Sequence, residues 1–265
     1  MNDRSMGHMT KERAICARRS RTRHRLGMHA VLIALCAASL VACANVKSSQ
    51  PSTENDPFEP FNRKMFAFND GLDQHIMLPA AIFYRDKVPV RLRKSIHNVL
   101  ANLDMPITIG NDLLQLDWKR AAQASARFGL NSTFGLGGLM DLATSEHIPN
   151  ETADMGQTLG IYGLGEGPYL VLPLYGPTTP RDFTGNIGDH YLDPITYIRL
   201  RDKTYWNVGR GALNLLDERE ANIDQLKSVR ESSVDYYATI RSLYRQDRRA
   251  KIRKGKPDLN DLESY

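Results

Sequence analysis

The residue best placed to undergo chemistry is Cys43, a thiol that follows Leu40, Val41 and Ala42 at the end of an apolar run. The run covers residues 27–42 and is preceded by arginines at positions 13, 18, 19, 21, 23 and 25. A basic segment, an apolar segment and small residues in this order indicate an export signal. The run has 16 residues, fewer than the roughly 20 that a helix needs to cross a bilayer. A removable signal is therefore favoured over a permanent transmembrane anchor.

The four residues that end with Cys43 resemble the lipobox of bacterial lipoproteins. The resemblance implies that the thiol is alkylated with diacylglycerol, that the chain is cut before it, and that the new amino group is acylated. Three acyl chains exceed the two signals that stable attachment needs, at about 0.8 kcal/mol per buried methylene. The alternative is an ordinary secretory signal that happens to contain a cysteine. Ala44 stands where an aspartate tends to retain enterobacterial lipoproteins at the inner membrane, so the resemblance implies the outer membrane.

Removal of residues 1–42 changes the charge of the chain. The full sequence has 35 Lys/Arg and 30 Asp/Glu, of which the signal holds eight and two. The remaining 27 basic and 28 acidic residues give a net charge near −1. The basic character of the whole sequence therefore belongs to the signal, and no nucleic-acid partner is expected. Because Cys16 and Cys36 lie in the signal, no disulfide is expected either.

Beyond Cys43 the sequence offers little for catalysis. It contains no G-x-S-x-G, H-E-x-x-H or Walker motif. The histidines that follow the signal have no other His or Cys at ligand spacing, and they are His75, His97, His147 and His190. We expect no enzyme activity, no metal ion and no cofactor, although a catalytic triad can be assembled from distant parts of a chain.

The elements that follow the signal are predicted to be mainly helical. Asp56 suits the N-cap of a first helix, with Pro57 at the first helical position and Glu59 at the third. Leu78 is expected to end this helix, because Pro79 follows it. One apolar stripe follows helical spacing, and its members are Phe58, Phe61, Met65, Phe68, Leu72 and Ile76. Such a stripe faces either a protein core or, in a helix that lies flat on a membrane, the lipid.

Periodicity predicts further helices over residues 89–103, 107–116, 187–200, 206–216 and 223–244. Asp117 is expected to cap another helix, in which Ala121, Ser125 and Gly129 recur every fourth residue. Small residues at that spacing allow another backbone to approach closely.

Two stretches depart from the helical pattern. Residues 134–143 are apolar and glycine-rich, which indicates an apolar hairpin-like element or, alternatively, a turn in the core. Residues 156–180 alternate glycine with proline and predict an ordered irregular segment, clamped by Tyr162, Tyr169 and Tyr175. The domain organisation is then a signal at 1–42, a polar tether at 43–55, a helical domain at 56–244 and a basic, disordered tail at 245–265.

Residues 56–63 resemble the opening of the MlaA (VacJ) outer-membrane lipoproteins. Segments similar to that family then follow in the same order, at 127–133, 135–143, 156–160, 165–169, 172–176 and 181–182. The likeness covers residues 56–244, and several motifs in one order are more specific than any single motif.

This resemblance implies a ring-like arrangement of amphipathic helices in the inner leaflet of the outer membrane, with an amphipathic channel through the ring. Phospholipid that has strayed into the outer leaflet would pass through the channel to a soluble periplasmic phospholipid carrier, and outer-membrane porin trimers would be membrane partners. Burying an unpaired phosphate is costly, so such a path needs polar groups inside an apolar belt. The hypothesis places Phe58, Phe61, Met65 and Phe68 in the lipid-facing belt. It places Leu136, Leu139 and Met140 at a border or gate of the channel. The alternative is a structural lipoprotein that binds porins or other envelope partners and has no lipid path.

Overall fold

Helices make up most of the computed structural model, which describes residues 56–198 and 202–254. The prediction of a mainly helical fold is confirmed. The α-helices are α1 (Glu59–Leu72), α2 (Leu78–Lys87), α3 (Val90–Leu114), α4 (Trp118–Thr133), α5 (Leu142–Ser145), α6 (Met155–Ile161), α7 (Pro180–Leu192), α8 (Lys203–Ala221), α9 (Ile223–Ser232) and α10 (Tyr236–Arg253). The strands are β1 (Leu170–Leu172) and β2 (Gly176–Thr178).

The first helix begins later than predicted, because Asp56 has a different partner. Phe58 occupies the N-cap of α1 without a side-chain hydrogen bond. The carboxylate of Asp56 is buried and accepts instead from Asn62 Nδ2 at 2.7 Å, from Arg241 at 2.8 Å and from the hydroxyl of Tyr237. A residue predicted to cap one helix thus joins the first helix to the last one.

Pro79, which was predicted to end the first helix, and Pro106 both lie within helical paths. A π-helical turn at Asp73–Met77 follows α1, and Pro79 occupies the first turn of α2 directly after it. Proline is tolerated there because the first helical N–H groups need no intrahelical acceptor. The predicted helices at 89–103 and 107–116 form the single helix α3, with Pro106 inside it.

Helix α4 has the predicted N-cap, but the predicted stripe of small residues does not form its buried face. The side chain of Asp117 accepts from the backbone N–H of Arg120 at 3.2 Å. Ala121 is buried, but Ser125 and Gly129 are exposed, and an added Cβ at Gly129 would meet nothing within 4 Å. The stripe of small residues therefore does not mark a close approach of backbones here.

The Gly/Pro-rich segment contains a hairpin that the sequence did not favour. Strands β1 and β2 pair antiparallel, with Val171 opposite Pro177, and Pro173 lies in the turn between them. A small hydrophobic core cluster lies beside the hairpin and consists of Tyr169, Val171 and Tyr237, against which Met65, Phe66 and Tyr244 pack. Of the three tyrosines predicted to clamp this segment, Tyr169 is buried, whereas Tyr162 and Tyr175 are exposed.

The carboxyl-terminal helices differ from their predicted bounds. The segment predicted as one helix over 223–244 is divided into α9 and α10, and Asp235 caps α10 by accepting from the Ala238 N–H at 3.1 Å. Helix α10 continues to Arg253, so a disordered tail from residue 245 is wrong up to that residue. Arg248 explains the extension, since it is buried and pairs with Asp154 at 2.6 Å and Asp182 at 2.9 Å. Residues 255–265 lie outside the described part.

Within residues 56–198 and 202–254, no helix combines the length and apolar character that crossing a bilayer requires.

Candidate functional site

In the described part of the chain, more polar or charged residues than hydrophobic residues are buried. Its buried side chains include 19 polar or charged residues and 12 hydrophobic ones. Folded proteins in water ordinarily bury Ile, Val, Leu and Phe and expose Asp, Arg and Asn. Here many large apolar side chains are exposed on the helices, among them Ile76, Phe83, Leu92, Phe183, Ile187, Trp206 and Val208. This distribution is typical of helices whose outer faces contact hydrocarbon.

Three of the four predicted belt residues lie on such an outer face. Phe58, Phe61 and Phe68 on and before α1 are 48%, 49% and 53% exposed. Met65 is different, because it packs against the core cluster around Tyr169. The exposed face of α1 therefore includes these phenylalanines, with Lys64 between Phe61 and Phe68, and Met65 belongs to the inner side of that helix.

The glycine-rich stretch forms a series of tight turns between α4 and α5. Leu136, Gly137 and Gly138 all have positive φ angles, of 54°, 74° and 97°. Leu136 is 66% exposed, and the side chains of Leu139 and Met140 are exposed as well. The three residues proposed to border a channel thus share one exposed apolar turn, and the alternative of a core turn is wrong.

This turn lies directly against α3 at one point. A Cβ atom added to Gly138 would approach the Cβ of Asn102 to 2.7 Å, which is closer than real side chains come. Asn102 in turn donates to the hydroxyl of Ser132 at 3.0 Å. Glycine at position 138 is therefore required by both the left-handed backbone and the close contact.

A polar cavity of about 130 Å³ lies beneath the turn. Helices α3 and α4 and the segments that flank α5 provide its walls, which are formed by His97, Asn98, Ala101, Asn102, Met105, Arg127, Asn131, Asp141 and Asn150. Ordinary water occupies about 30 Å³. The cavity therefore has room for several waters or for a small polar group.

A buried ion pair organises this cavity. Arg127 donates to both carboxylate oxygens of Asp141 at 2.9 and 3.0 Å, and Asn131 donates to the same carboxylate at 3.0 Å. Burial raises the pKa of Asp141. Hydrogen bonds from Thr144 and Asn131 and the charge of Arg127 lower it by more, so that the pKa lies below its ordinary value. Asp141 is therefore a carboxylate at neutral pH and also caps α5.

Two buried atoms of the cavity residues have no hydrogen-bond partner in the protein, namely Nε of Arg127 and Oδ1 of Asn102. A buried polar group without a partner costs about 1–3 kcal/mol. One of these atoms is a cationic donor and the other is an acceptor. The cavity residues could therefore bind water or a polar group that both accepts and donates.

Sequence reasoning missed most of these cavity residues. Arg127 and Asn131 lie four residues apart on α4, a spacing that places them on one helix face. Asn102 and His97 lie on α3, and nothing in their own segment signalled a shared cavity. His97 also contacts the buried Asp217 at 2.7 Å.

Among the described residues, no group of three or more His, Cys, Asp or Glu side chains is arranged to hold a metal ion. Cys43, the predicted site of acylation, lies outside the described residues.

Comparison with known proteins gives a consistent result. The model of the family described as "MlaA lipoprotein" matches residues 54–251. The Haemophilus influenzae protein named "Intermembrane phospholipid transport system lipoprotein MlaA" is 35% identical, over 84% of this chain and 89% of that protein. The Escherichia coli K12 protein of the same name is 34% identical, over 81% of this chain and 84% of its own length.

A Rickettsia bellii protein of uncharacterised function is 37% identical over 74% of this chain and 76% of its own length. A solved structure described by the words "Structural basis for maintenance of bacterial outer membrane lipid asymmetry" is similar in fold, with a TM-score of 0.67 and 35% identity. It matches 74% of this chain and 98% of the solved chain.

Proposed function

This chain belongs to the MlaA lipoprotein family, and from that membership we propose that it is an envelope lipoprotein that transports phospholipid. In the full form of the proposal, Cys43 carries acyl chains and the protein lies at the periplasmic face of the outer membrane. It removes phospholipid from the outer leaflet and passes it to a periplasmic carrier, which maintains the lipid asymmetry of that membrane. The proposal includes no catalytic step.

The observation that carries the proposal is the combination of a polar interior with an apolar outer surface. A phospholipid that moves past acyl chains needs a polar route for its head group, because an unpaired charge in hydrocarbon costs several kcal/mol. Phe58, Phe61 and Phe68 offer apolar contact outside, and the cavity at Arg127 and Asn102 offers polar groups inside.

The exposed apolar turn is the proposed border of this route. Leu136, Leu139 and Met140 lie next to the polar cavity, because Gly138 of the same turn contacts Asn102 in the cavity wall. Apolar side chains there can contact acyl chains while the cavity beneath receives polar groups. Porin trimers and a periplasmic phospholipid carrier remain the proposed partners, on the strength of the family resemblance.

The border role is tested with Leu139→Asp in cells that lack the native gene. We expect outer-leaflet phospholipid to change relative to the unaltered protein, because a carboxylate would repel acyl chains at the turn. Val234→Asp is a matched control, since Val234 is fully exposed and lies outside the turn. An unchanged phospholipid level at normal protein abundance would remove the border role of Leu139.

A structural scaffold remains the second candidate, and the exposed tyrosines Tyr191, Tyr197 and Tyr205 favour it. Tyrosine is enriched at protein–protein interfaces, where one end of the ring can pack and the other can hydrogen-bond. Native mass spectrometry of the purified protein separates the two functions. Co-purified phospholipid supports transport, whereas porin without phospholipid supports the scaffold.

A further inference from the structure

A second and larger cavity lies at the end of the last helix. Its volume is about 670 Å³, and its walls come from the first turns of α4, from the segment around residue 150, and from the end of α10. The lining residues are Asp117, Lys119, Arg120, Gln123, Pro149, Glu151, Ile161, Ile252, Arg253 and Lys254. This cavity is distinct from the polar one, because the two have no lining residue in common. They approach each other near residue 150, since Asn150 lines the smaller cavity and Pro149 and Glu151 line the larger one.

The walls of this basic cavity carry an excess of positive charge. Four cationic side chains face two carboxylates there. Lys254 Nζ pairs with Asp117 at 2.6 Å, and Arg120 pairs with Glu151 at 2.6 Å. Lys119 is exposed at the rim. The lining side chains carry a net charge of +2, which the carboxylate of Asp112, 3.9 Å from Arg120, reduces to about +1, and this excess favours an anionic ligand.

Apolar side chains stand beside the same rim. Trp118 immediately precedes Lys119 and is 66% exposed, and the preceding turn exposes Leu113, Leu114 and Leu116. Leu116 adopts a φ angle of 57°, which is uncommon for leucine. Within the cavity, Ile161 and Ile252 add an apolar wall. A ligand that fits both features is anionic at one end and apolar at the other.

We propose that the basic cavity binds the phosphodiester head group of an anionic phospholipid, whose acyl chains lie against Trp118 and Leu116. Basic pockets next to apolar surfaces are suited to such head groups. This accessory site is separate from the transport route proposed above and would hold a lipid at the end of α10.

The full-length protein in detergent provides the test, because its two tryptophans are Trp118 and Trp206. In the variant Trp206→Phe, the fluorescence of Trp118 alone reports on the cavity. The probes are phosphatidylglycerol and phosphatidylcholine with brominated acyl chains, which quench tryptophan at short range. We expect phosphatidylglycerol to quench at lower concentration than phosphatidylcholine, and this preference to weaken at high salt.

Substitution at the rim sharpens the test. Lys119→Gln in the same background should raise the half-quenching concentration of phosphatidylglycerol about fivefold, as expected for one cation near an anionic lipid. Lys64→Gln removes an exposed lysine of α1 and should leave it unchanged. Equal quenching by the two lipids, or no effect of Lys119→Gln, would overturn the proposal. So would displacement of phosphatidylglycerol by glycerophosphoglycerol at equal concentration, because acyl chains would then contribute nothing.

Discussion

At the scale of single residues, Asp112 stands out among the described carboxylates because it is buried and one of its oxygen atoms lacks a hydrogen-bond partner. Its side chain is almost fully buried on α3, its Oδ1 atom has no hydrogen-bond partner, and Arg120 Nε lies 3.9 Å away. Burial raises the pKa of Asp112 to about 6, an effect that the charge of Arg120 offsets in part and that Asp117 and Glu151 reinforce. The folded protein therefore holds a proton there that the unfolded chain releases near pH 4.

We predict that Asp112 makes folding stability fall as the pH rises from about 4 to 6. In that window the unfolded chain has lost its proton and the folded chain retains it, so the folded state is penalised by on the order of 3 kcal/mol. Asp112→Asn should make this decline shallower when urea unfolding is measured across the window.

The exposed Asp86 supplies the control, and Asp86→Asn should keep the decline. Asp104, Asp189 and Glu218 add to the decline, because burial also raises their pKa values, whereas hydrogen bonds and arginine charges lower the pKa values of Asp154 and Asp182. Identical pH slopes for Asp112→Asn and the unaltered protein would contradict the prediction.

At the scale of elements, the glycine-rich turn depends on two glycines for different reasons. Gly137 and Gly138 both have a left-handed backbone, but an added Cβ at Gly137 would meet nothing within 4 Å, whereas one at Gly138 would collide with Asn102. Gly137→Ala should cost about 1–2 kcal/mol from the backbone alone. Gly138→Ala should cost more, because the turn must also move away from α3. Urea unfolding measures both, and equal losses would show that the contact with Asn102 is not restrictive.

Local signals predicted some elements well and others poorly. The N-cap at Asp117 was recognised because its partner is the N–H of Arg120, three residues away. Pro79 was misread as a helix end, because the π-turn before it keeps the backbone helical. The break predicted between residues 103 and 107 was wrong as well, because both segments belong to the long helix α3. The extension of α10 depends on Arg248, whose partners lie 66 and 94 residues away, beyond the reach of periodicity.

At the scale of the whole molecule, we predict that the exposed phenylalanines seat the protein on lipid independently of acylation. The triple substitution of Phe58, Phe61 and Phe68 by serine removes three apolar side chains, each worth about 1.5–3 kcal/mol when fully buried. Binding of the purified, unacylated protein to phospholipid vesicles should fall about tenfold or more in a flotation assay.

Glu231→Ser alters an exposed polar position of α9 and should not change flotation. Met65→Ser should instead lower folding stability, because Met65 packs on the core cluster. Unchanged vesicle binding by the phenylalanine triple variant would show that this face of α1 does not contact lipid.

The candidate site could be predicted only in part. The apolar stripe of α1 was visible from spacing, but periodicity could not place Met65 on the inner side of that helix. The polar cavity was not visible at all, since α3, α4 and the turn at residues 134–141 contribute to it from separate stretches. Asn102 and Arg127 meet there because the fold brings α3 and α4 together, which no local pattern encodes.

The contact between Asp56 and Arg241 has a consequence for how the protein is made. The two residues are 185 positions apart, and Asn62 finds its acceptor, the carbonyl of Tyr169, only 107 positions later. The first helix therefore cannot complete its polar contacts until nearly the whole polypeptide has been synthesised. Until then Met65 and Phe66, which pack on the core cluster in the folded protein, face water, and the nascent segment must be shielded from aggregation before the carboxyl end arrives.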